Sequence, residues 1–325
     1  MTAPMDTQDA IFVRLPNWVG DVCMSLPSLG LLAGTGRPIF ICARPWAREL
    51  LSGHSEVRGF VPMAGKLAAD CSAVARQRAA LPGRARGLLL PDSLSSAAVF
   101  RLAGVPSAGY RDDGRSLLLR WPISKPSGAL HAVQSWHRLT LAALESWGLR
   151  PADAGIAPTL GLRTTEAQRQ QAETAVQGAG LAGQRFVLIA PTATGLHKGR
   201  VKVWPGFREL TRLLRTQNVA VAMCPPPSEA DQARAAVPEA VCLPPLPLGA
   251  FATLTRMAAL VVCNDSGVSH LAAAVNAPQL TLFGVTSPER TGPWSPQAQC
   301  LGAMDAWPAT QTVFANVMSR LSGAH

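Results

Sequence analysis

Asp21 closes the run Leu15-Pro16-Asn17-Trp18-Val19-Gly20-Asp21, directly after a short apolar segment. A single carboxylate at such a place has two readings. It either accepts backbone N–H groups near a helix start or serves as a general base aimed at a bound hydroxyl. With the next helix expected near Ser25, ahead of Pro27, Asp21 is placed on the strand-to-helix loop. A second stretch, Asn264-Asp265-Ser266-Gly267-Val268-Ser269-His270, runs from an apolar segment straight into an Ala-rich helix. Small residues there let an anion approach free N–H groups, and the helix dipole favours its charge. Asp265 is then either a plain cap or a group that bonds a ribose or sugar hydroxyl, and His270 either a core histidine or a ligand contact. A third stretch, Pro191 to Pro205, brings Thr192, Thr194, His197, Lys198, Arg200 and Lys202 ahead of Trp204. Four of these are basic residues able to converge on phosphate oxygens, or else simply a solvated basic loop.

Several familiar chemistries are missing. No G-x-x-x-x-G-K-[ST] loop occurs, and neither half has a clean G-x-G-x-x-G after its first strand, which removes support for ATP hydrolysis and ordinary NAD chemistry. H-E-x-x-H, G-x-S-x-G and a strand-end D-x-D are also absent. Asp112-Asp113 falls in an expected turn. The arginines of the first half (Arg76, Arg78, Arg84, Arg86, Arg101, Arg111, Arg115 and Arg120) read individually as solvated charges, because the chain has one Tyr and lacks the interleaved aromatics of a nucleic-acid platform.

The elements that must position these residues are short apolar runs alternating with helical patterns. Strands are expected over 11–15, 38–42, 57–62 and 87–91, then, after a helix over 131–148, over 185–190, 219–224, 240–243, 260–264 and 279–284. That rhythm predicts an α/β chain with two doubly wound parallel sheets, whose ligands sit beyond the carboxyl ends of the strands. The Pro-, Gly- and Ala-rich stretch 149–162 is the expected linker. The domains are accordingly placed at 1–155 and 156–325, with the last helix, 308–321, able to pack back on the first.

The 325 residues, 48% apolar and 15% charged, suit two domains with sizeable cores. Thirty Lys plus Arg against twenty Asp plus Glu leave +10, which favours anionic partners. Seven scattered cysteines without a C-x-x-C pair suggest reduced thiols in a cytoplasmic protein, and the N-terminus has no secretory pattern. No window is long and apolar enough to span a bilayer, so membrane contact is expected to be peripheral.

Taken in order, the motifs resemble glycosyltransferase family 9, the ADP-heptose:lipopolysaccharide heptosyltransferases. The likeness rests on Leu15 to Asp21 with Ser25-Leu26-Pro27, on Leu89-Leu90-Pro91-Asp92-Ser93 with Gly104-Val105-Pro106 and Gly109-Tyr110-Arg111, and on Lys202-Val203-Trp204-Pro205. It is completed by Asn264 to Gly267 with His270 and by Phe283-Gly284-Val285-Thr286. The Trp-Val-Gly-Asp form is similar to the heptosyltransferase II branch.

The resemblance implies GT-B architecture, two Rossmann-like domains facing a cleft, and inverting transfer from ADP-heptose with no cofactor or bound metal. It makes Asp21 the catalytic base and puts Asn17, Trp18, Ser93 and Arg111 on the acceptor side. Lys202, Thr192, Thr194, Ser266 and Gly267 would hold the diphosphate, with Asp265 and His270 on the donor and Glu229 a ribose candidate. Val203 stands where the family often has Arg, with Lys198 or Arg200 as substitute cations, and Cys224-Pro225-Pro226-Pro227 replaces a Gly-containing nucleotide loop. The implied partners are ADP-heptose, an acidic lipid-linked acceptor (Kdo-lipid A or heptosylated inner core) and the inner face of the cytoplasmic membrane, with no nucleic acid. A sugar-nucleotide epimerase of the same architecture, or a non-catalytic anion- or nucleic-acid-binding protein, are the rival readings.

Overall fold

A computed structural model describes residues 9–112, 114–193, 196–197 and 199–323. The chain divides into two compact units, one formed by Met1–Arg48 with His54–Ala157 and the other by Glu49–Gly53 with Pro158–His325.

The first unit holds β1 (Ala10–Arg14), β2 (Ile39–Ala43), β3 (Val57–Pro62), β4 (Ala85–Leu89), β5 (Ser107–Tyr110) and β6 (Trp121–Ile123) in one sheet of order β3-β2-β1-β4-β5-β6. Neighbouring strands run parallel throughout. β1 and β2 are buried at every residue, as continuous apolar runs must be when helices cover both faces of a sheet. Phe12 and Phe40 stack with ring centroids 5.2 Å apart, and Val61, Leu89 and Phe100 join them in the core. β5 and β6 are not anticipated by the sequence pattern. Ser107-Ala108-Gly109-Tyr110 carries little apolar bulk, and β6 contains Pro122, tolerated because the strand lies at the sheet's edge.

The second unit holds β7 (Phe186–Ala190), a two-residue antiparallel pair β8 (Leu196–His197) and β9 (Arg200–Val201), then β10 (Ala220–Met223), β11 (Val241–Cys242), β12 (Leu260–Asn264), β13 (Gln279–Leu282) and β14 (Ala298–Leu301). The large sheet has the order β11-β10-β7-β12-β13-β14, which is the first unit's order repeated. Both sheets are therefore doubly wound, with the reversal of strand order between β1 and β4 and between β7 and β12.

The β8–β9 pair lies where the sequence suggests an irregular loop, and β14 is also unforeseen. Trp204, Phe207, Leu210 and Leu214 pack with strand residues Val187, Leu260 and Leu280. The closing helix Thr310–Ser322 contributes Val313 and Val317 to this same core, so it packs on the second unit. Burying each such side chain contributes about 1.5 to 3 kcal/mol. Among the described residues, no helix is long and apolar enough to cross a membrane.

Candidate functional site

In the first unit, β1 leads into Leu15 to Trp18 and then into helix Val19–Met24. Asp21 is therefore the third residue of a helix, not a loop residue. The helix starts six residues earlier than expected, with Trp18, in extended backbone, at its N-cap position and no side-chain capping bond. Ser25 then joins it to a second helix, Leu26–Ala33, which takes Pro27 in its first turn, where no N–H is needed. Asp21 is half-buried, and desolvation pushes its carboxyl above the ordinary carboxylate range. Among the described residues its side chain has no hydrogen bond or ion pair. Asn17 is exposed, its Oδ1 accepting from Arg14 Nη2 at 2.7 Å, and Arg14 also donates to the Cys42 carbonyl at 3.4 Å. Trp18, 76% exposed, stands beside them.

Ser93 caps helix Leu94–Leu102, its hydroxyl accepting from the Ser96 N–H at 3.3 Å. Arg111 is exposed and held by its backbone, which donates to the Ile123 carbonyl at 2.9 Å.

Sequence reasoning missed an ionic group beside these residues. Lys125 Nζ lies 2.6 Å from Asp92 Oδ2, pairs with Asp112, and sits 5.6 Å from the Tyr110 ring centroid. Arg115, expected to be a solvated charge, is fully buried, with Nη1 3.5 Å from Asp92 Oδ1. Gly109 makes room for it, since a Cβ there would meet Arg115 Nη2 at 3.0 Å. Asp112 likewise turns out to be a partner rather than a plain turn residue, while Asp113 lies outside the described residues. The Leu-Pro-Asp-Ser run after β4 was the available signal.

In the second unit, Asp265 and Ser266 join β12 to helix Gly267–Ala274. Ser266, not Asp265, is the N-cap, accepting from the Val268 N–H at 3.4 Å. Asp265 is 7% exposed and turned elsewhere. Its Oδ2 accepts from the Thr286 hydroxyl at 2.7 Å and lies 3.6 Å from Lys202 Nζ, which also donates to the Asp265 carbonyl at 2.8 Å. Thr286 is a further site residue that sequence reasoning missed; its place at the end of the Phe283 to Thr286 run was the signal.

Asn264 ties the neighbourhood together. Its Oδ1 accepts from the Trp204 N–H at 2.8 Å, and its Nδ2 donates to the Ala190 carbonyl at 3.2 Å. The buried Trp204 indole, edge-on to Phe207 at 5.2 Å, donates to the Pro308 carbonyl at 2.9 Å and completes the anchor.

Lys202, Asp265, Ser266 and Thr286 are thus brought together at the carboxyl ends of the strands, with Gly267 opening the helix and His270 buried one turn along it. Thr192 is buried just after β7. Glu229 sits in the turn Pro227–Glu229 after β10 and shares no hydrogen bond or ion pair with this group. Arg200 pairs with Asp305 at the surface. Lys198 and Thr194 lie outside the described residues. Among the described residues no three His, Cys, Asp or Glu side chains are grouped to hold a metal ion.

Taken by itself, the second unit can stabilise an anion through a cation and helix N–H groups; the first, taken by itself, offers a carboxylate able to accept a proton. The family model for "Glycosyltransferase family 9 (heptosyltransferase)" matches residues 77–321. The chain belongs to this family. The lipooligosaccharide heptosyltransferase 2 of Haemophilus influenzae is 31% identical over 309 residues, covering 89% of this chain and 87% of the relative. The lipopolysaccharide heptosyltransferase 2 of Escherichia coli K12 is 26% identical over 90% of this chain and 87% of its own. The solved structure of E. coli ADP-heptose LPS heptosyltransferase II superposes with a TM-score of 0.77 at 24% identity, over 96% of this chain and 98% of that one. The two sheets are therefore those of a GT-B glycosyltransferase, as the motifs implied.

Proposed function

We propose that this family 9 glycosyltransferase transfers a heptose from ADP-heptose to an acidic, lipid-linked acceptor of the lipopolysaccharide inner core. The observation that carries the mechanism is Asp21, a half-buried carboxylate at the carboxyl edge of β1 with no side-chain partner among the described residues and a raised affinity for protons. Asp21 takes the proton of the acceptor hydroxyl as that oxygen attacks the anomeric carbon. The bond from that carbon to the diphosphate breaks, its electron pair leaves with ADP, and the configuration inverts. Lys202 and the N–H groups at Ser266 and Gly267 receive the charge growing on the leaving group, so no metal is required for that role. Asp265, held by Lys202 and Thr286, and His270 orient the donor. Asn17, Trp18, Ser93 and Arg111 contact the acceptor, while Thr192 assists the diphosphate and Glu229 the ribose.

The chain works in the cytoplasm at the inner face of the membrane, where its surplus of positive charge attracts anionic acceptor and leaflet alike. The test is ADP release from ADP-heptose with acceptors of increasing length, comparing the parent with Asp21→Asn. Acceptor-dependent release in the parent should fall by about 10² to 10⁴ in the variant, the usual weight of a general base. Release unchanged by the substitution would move the base elsewhere, and turnover of donor without acceptor would mark an epimerase.

A further inference from the structure

The first unit carries a surface feature that the transfer chemistry does not use. Helix Leu94–Leu102 ends in Arg101 and Leu102, and the chain turns sharply at Gly104 with φ +71° into Val105 and Pro106. Close by, a single turn of 3₁₀ helix, Arg115–Leu117, is followed by Leu118 to Arg120 and β6. The two segments enclose an open recess of about 420 Å³, with Arg101 and Arg120 on its walls and Leu117 at its rim. Beneath it Val105 and Leu119 are buried in the core.

Leu117 is 91% exposed and Leu102 is 69% exposed, among the most exposed large apolar side chains of the described residues. Among the described residues, neither arginine has an ion-pair partner and no acidic side chain lines the recess. The turn that displays Leu117 is rigidly held, because the neighbouring Arg115 is fully buried against Asp92, itself paired with Lys125. Desolvating a guanidinium is costly, and the Asp92 carboxylate offsets that cost two residues away from the exposed Leu117.

We propose that this recess is a docking surface for an anionic lipid leaflet. Arg101 and Arg120 hold a lipid phosphate between them, and Leu102 and Leu117 enter the boundary between headgroups and acyl chains. Charge complementarity selects this occupant: two unpaired cations flank two exposed leucines, a pattern that matches a negative interface with an apolar interior. The proposal rests on the reading of the acceptor as lipid-linked, and it names the part of the protein that meets the membrane.

The experiment is co-sedimentation of the full chain with vesicles of phosphatidylethanolamine alone and with a fraction of phosphatidylglycerol, at low and high salt. The parent should bind the phosphatidylglycerol vesicles in a salt-sensitive way. Arg101→Gln with Arg120→Gln should weaken that partitioning by about thirtyfold, given the usual contribution of each basic residue near such a surface. Leu102→Ser with Leu117→Ser should weaken it at both salt concentrations. Turnover of a de-acylated, water-soluble acceptor should stay at the parent's rate in both double variants, which also shows that they fold.

Vesicle binding retained by either double variant overturns the proposal. So does a parent that ignores anionic vesicles, or a leucine-dependent dimer that binds none. Absence of turnover on every soluble acceptor, with vesicle binding intact and lost in the variants, would sink the transferase reading and leave the docking surface standing.

Discussion

The two sheets repeat one strand order, and each places an acidic residue shortly after a strand beside its reversal point, Asp21 after β1 and Asp265 after β12. The two carboxylates are treated in opposite ways. Asp265 is buried but engaged, by the Thr286 hydroxyl at 2.7 Å and by Lys202. Asp21 is less buried and has no such partners, so desolvation acts on it unopposed and raises its proton affinity. Topology supplies the same position twice, and the neighbouring side chains decide whether the acid is left without a partner or is tied to a hydroxyl and a cation. The charge balance differs as well. The first unit has seventeen Lys plus Arg against ten Asp plus Glu, the second thirteen against ten. The unit proposed to meet the acidic acceptor is the more positive one.

This contrast can be broken by substitution. Beyond the loss already expected of Asp21→Asn on turnover, the largest effect is expected from Lys202→Ala, which removes the cation set against the leaving group. Turnover should fall by about 10² to 10³, as when a fixed electrostatic donor is lost. Steady-state ADP release measures it, and a loss below about threefold would detach Lys202 from the chemistry.

Next, Asp265→Asn should destabilise the fold by about 1 to 3 kcal/mol, because Lys202 and Thr286 lose the anion they share. Urea unfolding at pH 7 would show it, and an unchanged midpoint would mean that the group is not cohesive.

Asp21→Asn should act in the other direction. The Asp21 carboxyl titrates higher in the folded chain than in the unfolded one, so its ionisation opposes folding. That cost is absent below the unfolded carboxylate range, grows as pH rises toward the folded value and is constant above it. The variant should be more stable than the parent at pH 7, with the gap closing on acidification below about pH 4. A gap of equal size at pH 3 and pH 7 would rule out carboxyl desolvation as its cause. The same titration should make parental turnover decline as pH falls through the raised value.

Smallest is Lys125→Met, whose partners are partly solvated. The loss should stay under about 1 kcal/mol, and thermal melting would sharpen the distinction from Lys202.

Much of the fold and site was legible in the chain itself. The strands that precede Asp21, Thr192 and Asp265 are continuous apolar runs, and the residues just after such a run in an open α/β sheet lie at its ligand edge. β5, β6 and β14 escaped notice because two of them, β6 and β14, are sheet edges with one neighbour each, and all three need little apolar bulk. The burial of Arg115 depends on the space left by Gly109, and its pairing with Asp92 spans 23 positions, so no local pattern could announce either. The cap at Ser266 instead of Asp265 was decided by Lys202 and Thr286, both distant in sequence. Helix Val19–Met24 was hidden by Pro27, which signals a helix start correctly but belongs to the second of two consecutive helices.

Asn264 has a consequence of another kind. Its amide accepts from the Trp204 N–H with one end and donates to the Ala190 carbonyl with the other, thereby gauging the separation of three stretches of backbone. An aspartate of equal size would turn an oxygen toward the Ala190 carbonyl, and a glutamine would overreach by a methylene. The position thus works as a spacer of set length and polarity, and altering it would shift where Lys202 stands without touching a single atom of any ligand.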